Sequence, residues 1–241
     1  MLPQVIFEDN DILVINKPSG LVVNRADTVK GKTLQDWVEK KIKILDIKKL
    51  REEKNRDFYS RSGIVHRLDK DTSGVMVVAK TPQTFRHLQK QFKERKVIKK
   101  YLALVHGKVE PKIGDINLPL GRKPAERKKF SVRLGGRKAL TKYQVLKEYK
   151  DFSLLRVEPK TGRTHQIRVH LKYLGYPLVS DPFYLGKKRL KEDKKWCPRL
   201  FLHAQSLSFI HPKTKKRIKF EAKLPQNLDI ITYDRSILNQ G

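Results

Sequence analysis

Short apolar runs broken by polar turns dominate the first part of the chain. Val5–Phe7 and Ile12–Ile15 flank the polar stretch Glu8-Asp9-Asn10-Asp11 and read as two strands joined by a turn. Lys17-Pro18-Ser19-Gly20 forms a second turn, after which Leu21–Val23 resume an extended pattern. Leu34, Trp37, Val38 and Ile42 recur at helical spacing, and Thr33 with Asp36 predicts a capping box at the start of that helix. From Asp46 to Phe58 nearly every residue is charged, and the segment reads as a mobile loop. Gly63–Asp69 reads as extended, and Val75–Ala79 as a buried strand. Thr81 then predicts a helix cap with Pro82 at the first helical position, and Phe85, Leu88 and Phe92 mark the buried stripe.

Further on, Lys100–Val105 is a strand ended by Gly107, and Ala139–Leu146 and Phe152–Val157 are two more. Ile167, Leu171 and Leu174, followed by Gly175, predict a short helix with a glycine stop. Leu200–Ile210 and Arg217–Ala222 form a hairpin around His211-Pro212-Lys213-Thr214. Strands outnumber helices and mostly follow one another directly. The pattern therefore predicts an α+β fold with a mixed, largely antiparallel central sheet flanked by helices and loops. No internal repeat and no long linker divides the chain, so a single domain over residues 1–241 is expected.

Charge changes the picture more than any element does. The 241 residues carry 55 Lys+Arg against 25 Asp+Glu, a formal charge of +30, with 38% apolar residues. A compact chain of this length still buries roughly 70–75% of its unfolded surface, so a real core is available. No apolar run is long enough to span a membrane, and the opening residues lack a basic stretch followed by an apolar one, so neither insertion nor secretion is expected. The single cysteine, Cys197, excludes an internal disulfide and a cysteine-based zinc finger, which fits a cytoplasmic protein. Self-repulsion at +30 calls for a polyanionic partner. Nucleic acid is the leading reading, ahead of an anionic membrane surface or a merely lysine-rich composition.

The cations are not evenly spread. Gly121–Lys142 holds Arg122, Lys123, Arg127, Lys128, Lys129, Arg133, Arg137, Lys138 and Lys142 against one acid, Glu126. The run Gly186–Lys195 reads as a solvated loop, and beside the first segment both read as facing a nucleic acid. Three other segments combine polar groups with glycines and strand ends: His66–Gly74, Lys99-Lys100-Tyr101, and Thr161–His170.

His66-Arg67-Leu68-Asp69, two free positions, then Thr72-Ser73-Gly74 resembles the catalytic motif of the RluA family of pseudouridine synthases. Four companions follow the family's order along nearly the whole chain. Asn16–Leu21 resembles its opening turn, Lys100–Val105 its tyrosine strand, Gly162–His170 its arginine motif and Arg199–Ala204 its closing strand. Two positions depart from the pattern: Asn24, where many members have histidine, and Ser180, where glycine is usual. The resemblance places the catalytic pattern almost at Met1, so a member without the small accessory RNA-binding domain is expected.

The resemblance implies the pseudouridine synthase catalytic fold and a cofactor-free isomerisation of uridine in rRNA or tRNA to pseudouridine. Asp69 is the implied reactive carboxylate, whether as nucleophile or base. Arg168 is the cation that keeps it charged, and Tyr101 the aromatic platform and a candidate base near carbon 5. RNA-contacting candidates are His66, Arg67, Lys100, Arg122, Arg127, Lys128, Lys129, Arg163 and His165. Thr164 and Gln166 are placed either at a phosphate or, for Thr164, as a helix cap. His165 and His170 stand five apart, which misses the helical zinc spacing, so no metal is expected. Cys197 reads as inert or half exposed. A monomer without an obligatory protein partner is the expected state. An RNA-binding protein with an idle site, and a nuclease or glycosidase, are the competing classes; the latter needs a second carboxylate or a metal cluster that the motifs do not supply.

Overall fold

The computed structural model describes residues 2–42, 53–124, 126 and 128–228. In chain order the strands are β1 (Gln4–Glu8), β2 (Ile12–Lys17), β3 (Ser73–Ala79), β4 (Ile98–His106), β5 (Ile113–Asn117), β6 (Leu120–Arg122), β7 (Phe130–Val132), β8 (Leu140–Glu148), β9 (Phe152–Pro159), β10 (Leu202–Ile210) and β11 (Arg217–Glu221). The helices are α1 (Leu34–Ile42), α2 (Arg56–Ser60), α3 (Pro82–Lys93), α4 (Gln166–Tyr173) and α5 (Lys187–Trp196). The chain divides into two compact units, Met1–Ile98 with Ser206–Ala222, and Lys99–Gln205 with Lys223–Gly241.

In the first unit β1 pairs antiparallel with β2, and β2 with β3. Every residue of β3 is buried, as are Ile12, Leu13, Val14 and Ile15 of β2, so both faces of these strands are covered. One face meets Phe85 and Leu88 of α3, together with Phe58, Leu207 and Phe209. Thr81 caps α3 by accepting the Thr84 N–H, with Pro82 at the first helical position. The buried Gln91 side chain of α3 both accepts from and donates to the backbone of Ile210, each at 2.8 Å.

The capping box of α1 is reciprocal. Asp36 accepts the Thr33 N–H at 2.7 Å, and the Thr33 hydroxyl accepts the Asp36 N–H at 3.3 Å. Gly63 has φ of +75°, and a β-carbon there would come 2.0 Å from the Ala79 carbonyl oxygen, so the approach to β3 requires glycine.

In the second unit β5, β8, β9 and β4 pair in that order, all antiparallel, while β6 and β7 form a separate ribbon. Ala103, Val105, Leu155 and Val157 pack against Ile167 and Leu171 of α4 and against Leu178, Leu200 and Leu202.

Several expectations need correction. Leu21–Val23 form no strand; the carbonyls of Val22 and Val23 instead accept the N–H groups of Leu34 and Gln35 at the start of α1. Gly63–Asp69 is irregular apart from a bridge between Ile64 and Val78. Of the charged stretch read as a loop, residues 46–52 lie outside the described residues, and Glu53–Ser60 is a short turn of 3-10 helix followed by α2. Phe58 holds α2 against the core with 3% exposure. The run read as a solvated loop at Gly186–Lys195 is mostly helix α5, whose one buried side chain is Asp193. Cys197 is fully buried, not half exposed, and burial pushes its thiol up to about 11, which matches the inert alternative.

The Asp36 carboxyl is held down at about 2, first by the Thr33 N–H and hydroxyl and then by Arg25. Because the folded value lies below the ordinary 3.8, this stabilisation is complete above that value and is lost as pH falls toward 2. Asp36→Asn is expected to cost about 1 kcal/mol at neutral pH. In denaturant titrations, the gap to the unaltered protein should close between pH 4 and pH 2.

Candidate active site

Asp69 sits half-buried on the irregular segment that leads into β3. The loop is fixed by backbone groups at both ends. Upstream, the His66 ring accepts the Val77 N–H through Nε2 at 3.1 Å and stacks on Phe92 with centroids 4.7 Å apart. Downstream, the Thr72 N–H donates to the Asp69 carbonyl, and the Gly20 N–H to the Lys70 carbonyl at 2.9 Å. The Ser19 hydroxyl donates to the Asp71 carbonyl at 2.8 Å.

Lys17 completes this clamp. Its side chain is 0% exposed, and Nζ donates to the carbonyls of Pro18, Leu21 and Lys70 at 2.8, 2.9 and 3.1 Å. A buried ammonium is tolerable only when its donors are satisfied, and three carbonyls do that here. The Lys17–Gly20 turn therefore holds the residues next to Asp69 through three side-chain and backbone hydrogen bonds. Arg67, beside it, points into solvent.

In the second unit, Arg168 lies on α4 with 1% exposure. Its guanidinium donates from Nε and Nη2 to the two carboxylate oxygens of Asp181 at 2.8 and 2.6 Å. Phe183 and Tyr184 cover the guanidinium at 5.2 and 5.1 Å. Asp181 also accepts the N–H groups of Phe183 and Tyr184, so one carboxylate organises both the cation and its aromatic walls. The turn before it is set by Ser180, at φ +55°, where the left-handed backbone suits the glycine usual at this position. The Ser180 N–H donates to Asp193 at 2.7 Å and its hydroxyl to the Cys197 carbonyl. Asp193 in turn meets His106 Nε2 at 2.9 Å.

Tyr101, on β4 opposite Val157, is half-buried and packs on the cluster that includes Ile167 and Leu171 of α4. Lys99 precedes it by two positions and so shares its strand face. The Lys99 ammonium donates to the Thr161 carbonyl at 3.2 Å, and burial pushes its pKa down to about 8. Lys99, unlike Lys100, is not among the RNA-contacting candidates expected from the sequence. A charged residue two positions from Tyr101 was the available signal.

The Thr161–His165 turn is built differently from the expectation. Helix α4 begins at Gln166 with His165 in the left-handed region at φ +55°, and Thr164 is exposed without capping. Gln166 is consumed internally. Its carbonyl oxygen accepts from Thr161 and the Arg163 N–H, and its amide donates to Leu140 and Thr141. Gln166 is therefore a structural link, not a phosphate ligand.

Arg122, Phe130, His165 and Tyr184 form one cluster. Arg122 lies 5.7 Å from the Phe130 ring, Phe130 meets His165 edge-on, and the Tyr184 hydroxyl bonds both His165 Nδ1 and the Phe130 N–H. The structure thus brings Arg122, Arg163 and His165 to one end of α4. Arg163 also donates to the Lys138 carbonyl at 3.1 Å. Lys129 pairs with Glu126, as does Lys123, and Lys128 is exposed. Arg127 lies outside the described residues.

The histidines are occupied by other partners. The His170 nitrogens contact the Thr141 hydroxyl at 2.9 Å and the Leu118 carbonyl at 3.0 Å, and burial lowers its pKa. Asp9, Asp11 and His211 converge in the first unit. There His211 Nδ1 accepts the N–H groups of Lys213 and Thr214, which leaves Nε2 to donate to Asp9 at 2.9 Å. Neither nitrogen of His211 then offers a lone pair to a cation.

Comparison with known proteins agrees with this architecture. The sequence model of the RNA pseudouridylate synthase family matches residues 11–173. Ribosomal large subunit pseudouridine synthase D of Blochmanniella floridana is 41% identical over 93% of this chain and 70% of its own length. Its namesake in Pseudomonas aeruginosa is 39% identical over 96% of this chain and 72% of its own. Among solved structures, human RNA Pseudouridylate Synthase Domain Containing 1 matches with a TM-score of 0.70 and 27% identity, over 93% of this chain and 84% of that one. Order of motifs, strand pattern and relatives converge, and the chain belongs to the RluA family of RNA pseudouridine synthases.

Proposed function

We propose that this enzyme isomerises uridine in large-subunit ribosomal RNA, with Asp69 as its reactive carboxylate. The reaction breaks the bond from the sugar to N1 of uracil and forms one to C5, with no net change in composition or oxidation state. Such a rearrangement asks the protein for an ionised carboxylate, a way to keep the base from leaving, and a proton acceptor at C5. Asp69 supplies the first, Tyr101 the ring on which uracil rests, and Arg168 a guanidinium of fixed orientation. A target within a stem must also leave its stack, at a cost of a few kcal/mol.

The observation that carries this reading is the immobilised loop at Asp69. A turn residue with no chemical task needs no buried ammonium and three further hydrogen bonds to hold its neighbours. Support for ribosomal RNA comes from the names of the relatives, and support for a polyanionic partner from the net charge of +30. Among the described residues no helix is long and apolar enough to cross a membrane. With a single cysteine and RNA as substrate, a monomer working in the cytoplasm is the matching state.

Asp69→Ala is expected to lower pseudouridine formation by about a thousandfold or more on transcribed large-subunit RNA, with the melting transition unchanged. A folded variant with undiminished turnover would sink the assignment. Asp181→Ala, which removes both carboxylate bonds from a buried guanidinium, should cost about 3–5 kcal/mol in chemical denaturation. Arg168→Lys keeps the charge but cannot make the two-pronged contact. It should lower the maximal rate more than the affinity for RNA, as read from single-turnover kinetics over a range of enzyme concentrations.

A further inference from the structure

The turn that follows β7 presents one leucine to solvent in a setting of arginines. Leu134 is 94% exposed, more than any other large apolar side chain among the described residues. Isolated exposed leucines are ordinary on protein surfaces, so exposure alone signifies nothing. Rigidity and surroundings distinguish this one. The Gly136 N–H donates to the Arg133 carbonyl at 3.0 Å, with Gly135 at φ +75°, which closes a tight turn with Leu134 at its corner. Arg133 donates its N–H to the Pro119 carbonyl at 2.9 Å, and Leu120 and Arg137 exchange both backbone hydrogen bonds at 3.0 and 2.8 Å. A β-carbon at Gly136 would lie 2.6 Å from the Leu120 backbone, so the turn is seated directly on that segment. Leu134 is therefore held out on a braced support.

The chemistry around it is of one sign. Arg133, Arg137 and Lys138 are exposed, Arg163 is tied to the Lys138 carbonyl, and no acid occurs between Lys128 and Lys142. A protein partner or a lipid surface would be met by a cluster of apolar side chains, and here there is one. A nucleobase that has left its stack offers an apolar face a few ångströms from phosphates, which matches a single leucine ringed by cations. We propose that Leu134 packs against an unstacked base of the RNA substrate, next to phosphates held by Arg133 and Arg137. The turn would then recognise a loop or bulge, not continuous duplex. This deepens the function proposed above and rests on RNA being the substrate.

The test compares Leu134→Ser, Leu134→Phe and Arg137→Ala with the unaltered protein. The probes are a transcribed large-subunit RNA fragment containing loops and a fully paired duplex of similar length. Leu134→Ser should weaken binding to the looped RNA roughly tenfold, with an unchanged slope of affinity against salt. Leu134→Phe should bind at least as well as leucine. Arg137→Ala should lower the salt slope by about one, and the duplex should not distinguish serine from leucine. Because Leu134 touches so little, its variants should melt with the parent, which removes misfolding as an explanation. Equal binding of Leu134→Ser and the parent to looped RNA, or equal losses on loop and duplex, would overturn the proposal. So would failure of the parent to bind RNA. An absence of pseudouridine despite normal, leucine-dependent binding would instead overturn the proposed reaction and leave this contact standing.

Discussion

A guanidinium with 1% exposure is the most demanding group in the second unit, and the elements around α4 are arranged to satisfy it. Stripping water from a charge costs several kcal/mol, and only a well-formed partner with further hydrogen bonds offsets that. Asp181 is that partner, and its own position depends on the Ser180 turn, which depends on Asp193 and through it on α5 and His106. A line of polar contacts thus runs from a surface helix to the centre of the unit. Apolar packing against Leu171 and Leu178 fills space around it, but direction comes from the charged groups.

The first unit also buries a cation, and ties it to the backbone. There the buried Lys17 ammonium donates to three backbone carbonyls. Those carbonyls belong to Pro18, Leu21 and Lys70, so the ammonium welds the opening turn to the loop of Asp69. Both units therefore place a cation in their interior and use it to define backbone geometry. Neither arrangement would survive in a chain selected for stability alone, because well-packed apolar side chains of similar volume would do as well or better.

Periodicity made the strands at β2, β3, β4, β8, β9 and β10 and the helices α1, α3 and α4 legible, because each carries an apolar face that must be covered. The capping box of α1 and the threonine–proline start of α3 were readable for a different reason: their chemistry is local. What escaped was set by contacts distant in sequence. Helix α5 has no apolar stripe to announce it, since its buried residue is an aspartate satisfied by His106 and Ser180. Strands β5 to β7 are short and half-exposed, and their pairing defines them more than their composition does. Asp69, Tyr101 and Arg168 are marked only by motif resemblance, and nothing local in the sequence marks Asp181 as the residue that fixes Arg168. Thr164 and Gln166 misled for a physical reason. A polar residue before a helix suggests a cap or an anion site, whereas here the backbone turns left-handed at His165 and the Gln166 amide is absorbed by β8 and its own turn.

Helix α5 carries six cations and two acids; its one fully buried side chain is Asp193, and Trp196 at its last turn packs against Phe152. Its seating is thus fixed at two points, the hydrogen bonds of the Asp193 carboxylate and the packed Trp196 ring, whereas a continuous apolar stripe would permit sliding by a fraction of a turn. Lys187, Lys188, Arg189, Lys191, Lys194 and Lys195 are in consequence mounted at set intervals of about 1.5 Å per residue along one rigid rod. A flexible basic tail would present the same charge as a diffuse cloud. Here it is a ruled scale, against which the spacing of a neighbouring polyanion can be matched or rejected.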